Sequence, residues 1–176
     1  MNLVEFEAKA LLRRAGLPLP AGTVADASAA IAIHAPCVLK AQIAEGGRAK
    51  RGLILPVSIG EDGASQLSLL RERMRTQGHD APRVLVEESI GAARECYFSW
   101  SIDDVAQDYV LQFSMHGGVE VESHAHALRS LHFAPCHVPA AHEFVHFFAQ
   151  AGAQGRTVGA LCRFASASWR VFVQED

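Results

Sequence analysis

No run of about eighteen uninterrupted apolar residues occurs anywhere in this 176-residue chain, so no stretch has the makings of a membrane-crossing helix. The first ten residues carry Glu5, Glu7 and Lys9 where a signal peptide needs an apolar core. The chain is therefore expected to be neither membrane-spanning nor exported. Its four cysteines, Cys37, Cys96, Cys136 and Cys162, show no C-x-x-C spacing, which predicts buried free thiols in a reducing, cytoplasmic setting rather than a disulfide frame. There is no G-x-x-x-x-G-K-[ST] string and no G-x-G-x-x-G string, which excludes a Walker A loop and the dinucleotide fingerprint. A formal net charge of −3 argues against non-specific nucleic-acid binding, so any polyanion is bound locally. Repeats, low-complexity tracts and long linkers are absent as well. What the composition does supply is 49% apolar residues, enough to core one compact domain or two small lobes.

The most informative stretch is residues 37–52, CVLKAQIAEGGRAKRG. Val38 and Leu39 begin a short apolar strand that Lys40 interrupts, and a glycine-rich basic loop follows from Gly46 to Gly52. Glycine lets backbone N–H groups approach phosphate oxygens with no Cβ in the way, and cations neutralise the charge. That is the composition of a polyphosphate cradle. A basic turn between two strands explains the same letters equally well.

Around this stretch the chain reads as mixed elements. Asn2 and Glu5 have the form of a capping box, and Leu3, Phe6, Ala10, Leu11 and Ala15 fall on one helical face that Gly16 ends. Residues 22–25 read as a short strand, and Asp26 as the cap of an Ala-rich helix running to Pro36. Residues 53–58 read as a strand, which makes the basic loop a hairpin connection. Residues 60–76 read as a helix with Leu67, Leu70 and Met74 inside and Arg71, Arg73 and Arg75 on a solvated face. Strands are expected at 83–88, 94–102 and 108–115, with a bend at Asp103 and Asp104, and a turn at His116, Gly117 and Gly118 leads into 119–122. Helices close the chain at 139–150 and 157–173, the second with Val158, Leu161, Cys162, Ala165 and Trp169 on one stripe. Tyr97, Phe98, Trp100, Phe113 and Trp169 are expected in the core.

Hairpins mixed with helices, without strict βαβ alternation, predict an α+β fold in two lobes with a seam near residues 88–91 and a nucleotide between the lobes. The expected division is a small lobe at about 20–90 and a larger one from 1–19 plus 91–176.

Four blocks in order, MNLVEFEAKALLRRAGLPLPAG, VLKAQIAEGGRAKRGLIL, VLVEESIGAARECYFS and HGGVEVES, resemble the opening of the β-subunit of succinyl-CoA synthetase and its relatives such as malate–CoA ligase, which are ATP-grasp enzymes. The resemblance covers roughly residues 1–122. It implies that Lys40 reaches the nucleotide phosphates, that Gly47, Arg48 and Ala49 form the loop over them, and that Glu87 and Ile90 hold the adenine edge, Ile90 through its backbone. It also implies that Glu95 accepts hydrogen bonds from the ribose hydroxyls. A carboxylate is an acceptor-only group suited to a diol, and an ammonium is a point charge suited to phosphate. ATP or GTP with Mg²⁺ is the cofactor so implied. The implied reaction, familiar from the tricarboxylic acid cycle, joins a carboxylic acid to CoA at the expense of a nucleoside triphosphate. An α-subunit partner would contribute the phosphorylated histidine and most of the CoA site.

Two departures from the family pattern stand out. Ala49 occupies a position where the family has glycine, and a left-handed backbone there would cost about 1–2 kcal/mol. The family also continues past the equivalent of Asp176 to the residues that hold magnesium, so the fragment is expected to bind nucleotide weakly and to be inactive alone.

Two rival readings remain open. His142-Glu143-Phe144-Val145-His146 is an H-E-x-x-H string on an expected helix, which can place two zinc ligands and a general base, although no histidine follows His146 and no Asp or Glu lies between Glu143 and Glu175. His116, His124, His126, His132 and His137 are irregularly spaced, as solvated loop histidines are. The other rival is a non-catalytic fragment whose unpaired sheet edge docks another subunit or a second copy of itself.

Overall fold

The computed structural model describes residues 3–26, 35–80, 83–91, 94–118 and 127–175. Asn2, the Ala-rich segment 27–34, the stretch 119–122, His124 and His126, all subjects of expectations above, lie outside the described residues. The chain divides into two compact units, Met1–Arg13 with Pro18–Ala92, and Arg14–Leu17 with Ala93–Asp176. Both sheets are antiparallel, as an α+β fold requires.

The first unit is a four-stranded sheet with helices on it. Its elements are α1 (Glu5–Arg14), β1 (Gly22–Ala25), β2 (Cys37–Ala41), β3 (Ile54–Val57), α2 (Gly63–Thr76) and β4 (Val84–Glu88), with strand order β1-β4-β2-β3. Alternation in β2 sends Cys37, Leu39 and Ala41 into a core with Leu53, Val57, Val84 and the apolar side of α2, Leu67, Leu70 and Met74. Asp62 starts α2 by accepting the N–H groups of Ala64 at 3.0 Å and Ser65 at 3.3 Å. The opposite register of β2 and β4 places Lys40 and Glu87 on the other side of the sheet, where both meet α1. Residues 1–19 are expected with the second half of the chain; here α1 as far as Arg13 falls in the first unit, and Arg14–Leu17 in the second. Glu7 starts α1 by accepting the Val4 N–H at 3.0 Å, and Gly16, at φ +80, follows its end.

The expected arginine face of α2 is only partly solvated. Arg75 is exposed beside Glu72, but Arg71 is buried and donates to the Asp26 carbonyl, and Arg73 donates to the Gly52 carbonyl at 3.0 Å. Long basic side chains lay their stems on apolar surface and send the head to a backbone acceptor, which periodicity alone cannot separate from solvation.

The second unit holds β5 (Tyr97–Asp103), β6 (Asp108–Ser114), β7 (Arg129–Phe133), α3 (Ala141–Gln150) and α4 (Arg156–Glu175), with strand order β5-β6-β7. Asp103 closes the β5–β6 hairpin by accepting the N–H groups of Val105 and Ala106, each at 3.0 Å. The core joins Leu111, Phe113 and Phe133 of the sheet to Phe144, Phe147 and Phe148 of α3 and to Cys162 and Ala165 of α4. Trp100 packs 5.0 Å from Trp169, ring centre to ring centre, and its indole N–H donates to Ser168 Oγ at 3.0 Å. All four cysteines are free; Cys37 and Cys162 are buried as expected, Cys96 is half-buried and Cys136 is exposed. Among the described residues no helix is long and apolar enough to cross a membrane.

Candidate functional site

Within the first unit, Lys40 and Arg48 lie beside a pair of carboxylates that sequence reasoning assigned differently or not at all. Lys40 Nζ donates to Glu87 Oε2 at 2.5 Å and to Glu5 Oε1 at 2.9 Å. Arg48 donates through Nη2 to Glu5 Oε2 at 2.6 Å and through Nη1 to the Ala41 carbonyl at 2.8 Å. Lys9, one turn along α1 from Glu5, pairs with both Glu5, at 2.8 Å, and Glu87. Glu87 is 4% exposed. Burial would raise the Glu5 carboxyl, but hydrogen bonds from Lys9, Lys40 and Arg48 reverse that and hold it down to about 2 from an ordinary 4.5. Burial works against the charged form of Lys40 in the same way, and the bonds to Glu87 and Glu5 overcome it, so its pKa lies above the ordinary lysine value.

The basic loop is a compact turn. The Arg51 N–H reaches the Gly47 carbonyl at 3.1 Å, Gly52 that of Ala49 at 3.0 Å, and Leu53 that of Arg48 at 2.8 Å. Gly47 sits at φ +71 and Gly52 at φ +68, the left-handed region where a Cβ is strained. Ala49 is not in that region, since Gln107 is the non-glycine residue with positive φ among the described residues. The substitution of alanine for the family's glycine therefore carries no left-handed penalty in this conformation. Ile90 lies beyond β4 and is exposed.

Within the second unit, Glu95, Met115, His116, Gly117 and Gly152 line a cavity of about 640 Å³. The Gly117 N–H donates to the Glu95 carbonyl at 3.0 Å, and a Cβ on Gly117 would meet the Cys96 backbone at 2.6 Å. That close approach explains why glycine stands there. Gly118, at φ +96, has the Glu95 carboxylate 2.9 Å from where its Cβ would be. Glu95 thus sits in a recess where a polar ligand edge could reach its carboxylate.

His142, Glu143 and His146 do fall on a helix, α3, but Glu143 is occupied otherwise. Its carboxylate accepts the Ala140 N–H at 2.7 Å and lies 2.9 Å from His137 Nε2, which together lower its pKa, while His146 Nε2 is 2.8 Å from Gln150 Nε2. Among the described residues no group of three His, Cys, Asp or Glu side chains could hold a metal ion.

The model of the ATP-grasp domain family matches residues 2–176. The chain belongs to that family. Curated relatives of this ATP-grasp domain include the ADP-forming sulfoacetate-CoA ligase subunit SauC of Bilophila wadsworthia, 37% identical over 69% of the chain and 33% of the relative. The β-subunit of ADP-forming succinate–CoA ligase from Geobacter sulfurreducens is 37% identical over 69% of the chain and 34% of the relative. That of Halorhodospira halophila is 33% identical over 100% of the chain and 49% of the relative. The chain thus spans about a third to a half of the length of these relatives. In fold it is similar to PH1788 from Pyrococcus horikoshii, with TM-score 0.75 at 17% identity over 98% of the chain and 77% of that protein. It is also similar to a dinucleotide-forming acetyl-coenzyme A synthetase of Ca. Korarchaeum cryptofilum, with TM-score 0.64 at 18% identity over 97% of the chain and 80% of that protein.

Sequence reasoning missed Glu5, Lys9 and Gln42 of this ATP-grasp domain. Gln42 is 6% exposed; it accepts the Phe6 N–H at 2.9 Å and donates to the Lys40 carbonyl at 2.9 Å, seating α1 at the end of β2. The available signal was Glu5 and Lys9 at i and i+4 in a helix whose apolar stripe buries nothing fully.

Proposed function

We propose that these residues are the nucleotide-binding portion of an ADP- or GDP-forming carboxylic acid–CoA ligase, of the succinate–CoA ligase β-subunit type. The observation that carries the reading is the placement of Lys40 and Arg48 on a shared carboxylate beside a loop turned by Gly47, in a chain of the ATP-grasp family. Lys40 and Arg48 take the phosphates, with Gly47 and Ala49 offering backbone to them. Glu87 steadies the Lys40 ammonium, Ile90 serves the adenine edge through its backbone, and Glu95 accepts from the ribose hydroxyls. The charges fit an anion, because Lys9, Lys40 and Arg48 outnumber Glu5 and Glu87 by one positive charge. Magnesium bound with the nucleotide would neutralise phosphate charge in phosphoryl transfer.

Ligation of acid to CoA belongs to the whole assembly, for which an α-subunit is the proposed partner, in keeping with the subunit names of the relatives. The acid substrate and CoA are engaged in that complex. Isothermal titration of the 176-residue chain with ATP, ADP and GTP in the presence of magnesium tests the binding step. Saturable binding that Lys40→Met weakens at least tenfold supports it. Unchanged binding in Lys40→Met refutes the assignment of the phosphate site.

A further inference from the structure

Glu5 joins three cations on one carboxylate, and the proposed nucleotide site gives it no task. Its Oε1 accepts from Lys9 Nζ at 2.8 Å and Lys40 Nζ at 2.9 Å, and its Oε2 accepts from Arg48 Nη2 at 2.6 Å. The two ends of the cradle differ in how they depend on it. Lys40 has a second carboxylate in Glu87, whereas Arg48 is fixed by Glu5 and the Ala41 carbonyl together. A guanidinium bonded through both Nη atoms to acceptors on different elements has its plane fixed as well as its position. The side chains of Glu5, Lys40 and Arg48 are 18%, 20% and 20% exposed, so solvent screens these contacts little.

We propose that Glu5 is a positioning residue of the nucleotide site, holding the strand ammonium of Lys40 and the loop guanidinium of Arg48 at the spacing from which both address one polyphosphate. The inference rests on the proposed nucleotide function and deepens it. Without a shared anion the two cations repel each other, and the loop that carries Arg48 loses its tie to α1. The low pKa of Glu5 agrees with a carboxylate that stays ionised while it does this.

Two roles for Glu5 predict opposite signs. If it acts only through its charge, Glu5→Gln leaves the cluster more positive and binds a polyphosphate more tightly. If it positions the cations, the same change loosens them and weakens binding. The test is isothermal titration of wild type, Glu5→Gln and Glu5→Asp with ATP and AMP, alongside amide hydrogen exchange of a peptide covering residues 44–53. Glu5→Gln is expected to weaken ATP about tenfold and AMP less than about twofold, with faster loop exchange, and Glu5→Asp to recover most of both. Equal or tighter ATP binding by Glu5→Gln overturns the proposal. Should Glu5→Gln fail to fold by circular dichroism, Glu5→Asp carries the same comparison with smaller changes of the same sign. If the wild type binds no nucleotide, the proposed function falls by itself. In that event faster loop exchange in Glu5→Gln still upholds the hold of Glu5 on the loop, and unchanged exchange overturns that too.

Discussion

Acid should weaken the first unit through Glu5 in a window that its own pKa defines. A carboxyl held at about 2 in the folded chain and titrating near 4.5 when unfolded contributes about 3 kcal/mol at neutral pH. The folded value is the lower one, so the unfolded chain takes up the proton first as pH falls. The contribution is therefore whole above pH 4.5 and is lost as pH drops toward 2. Glu45, Asp62, Asp103 and Glu143 are also held low and shift stability in the same direction, so the wild type alone cannot isolate Glu5. The difference between wild type and Glu5→Gln can. Urea unfolding should be followed by far-ultraviolet circular dichroism, because Trp100 and Trp169 both belong to the second unit and report on that unit. Glu5→Gln should be less stable by about 3 kcal/mol at pH 7, with the gap closing to under about 1 kcal/mol near pH 2.5. A gap that stays constant between pH 7 and pH 3 would refute the reasoning, because it would mean that Glu5 stabilises by packing rather than by its charge.

The glycines divide by cause. Gly47→Ala meets nothing within 4 Å but must keep φ +71, so it should destabilise by about 1 kcal/mol, read as a thermal shift of a few degrees. Gly117→Ala would place its Cβ 2.6 Å from the Cys96 backbone and should destabilise by more than about 2 kcal/mol in the second unit, visible in tryptophan fluorescence. Phe113→Ala removes a fully buried ring that faces Phe148 at 4.9 Å and should lower the same transition by about 3–5 kcal/mol.

The hairpin that carries Lys40 was legible because its signals are local: an apolar alternation, a lysine out of register with it and glycines where the backbone turns. The apolar stripe of α4 was legible for the same reason, and Cys162, Ala165 and Trp169 are indeed buried. The strand β7 was not. In Arg129–Phe133 only Phe133 is buried and Leu131 is half-buried, so three polar residues of a strand at the edge of its sheet among the described residues hide a period-2 signal of two. The tie between α1 and the basic loop was hidden more deeply. A charged residue on an amphipathic helix defaults to the solvent side, and nothing in the letters around Glu5 tells that its cations arrive from residues 40 and 48. Arg71 shows the same limit in the opposite sense, as a charge read outward that the fold turns inward.

The loop's shape and the loop's hold therefore come from different residues. Its turn is set from within, by Gly47 and Gly52 at positive φ. Its placement is set from outside at both ends. Glu5 of α1 takes Arg48, while at the other end Gln77, just past α2, accepts from Arg51 Nε at 2.9 Å and Arg73 of α2 donates to the Gly52 carbonyl at 3.0 Å. A loop that owed its order to glycine alone would be flexible, since glycine widens the range of accessible backbone states. Charge-assisted contacts from two helices offset that freedom without filling the space over the glycines, which stays open around Gly46 and Gly47. The same division lets the two properties vary separately: helix residues can tune how firmly the cations are held while the backbone that would meet a phosphate keeps its form.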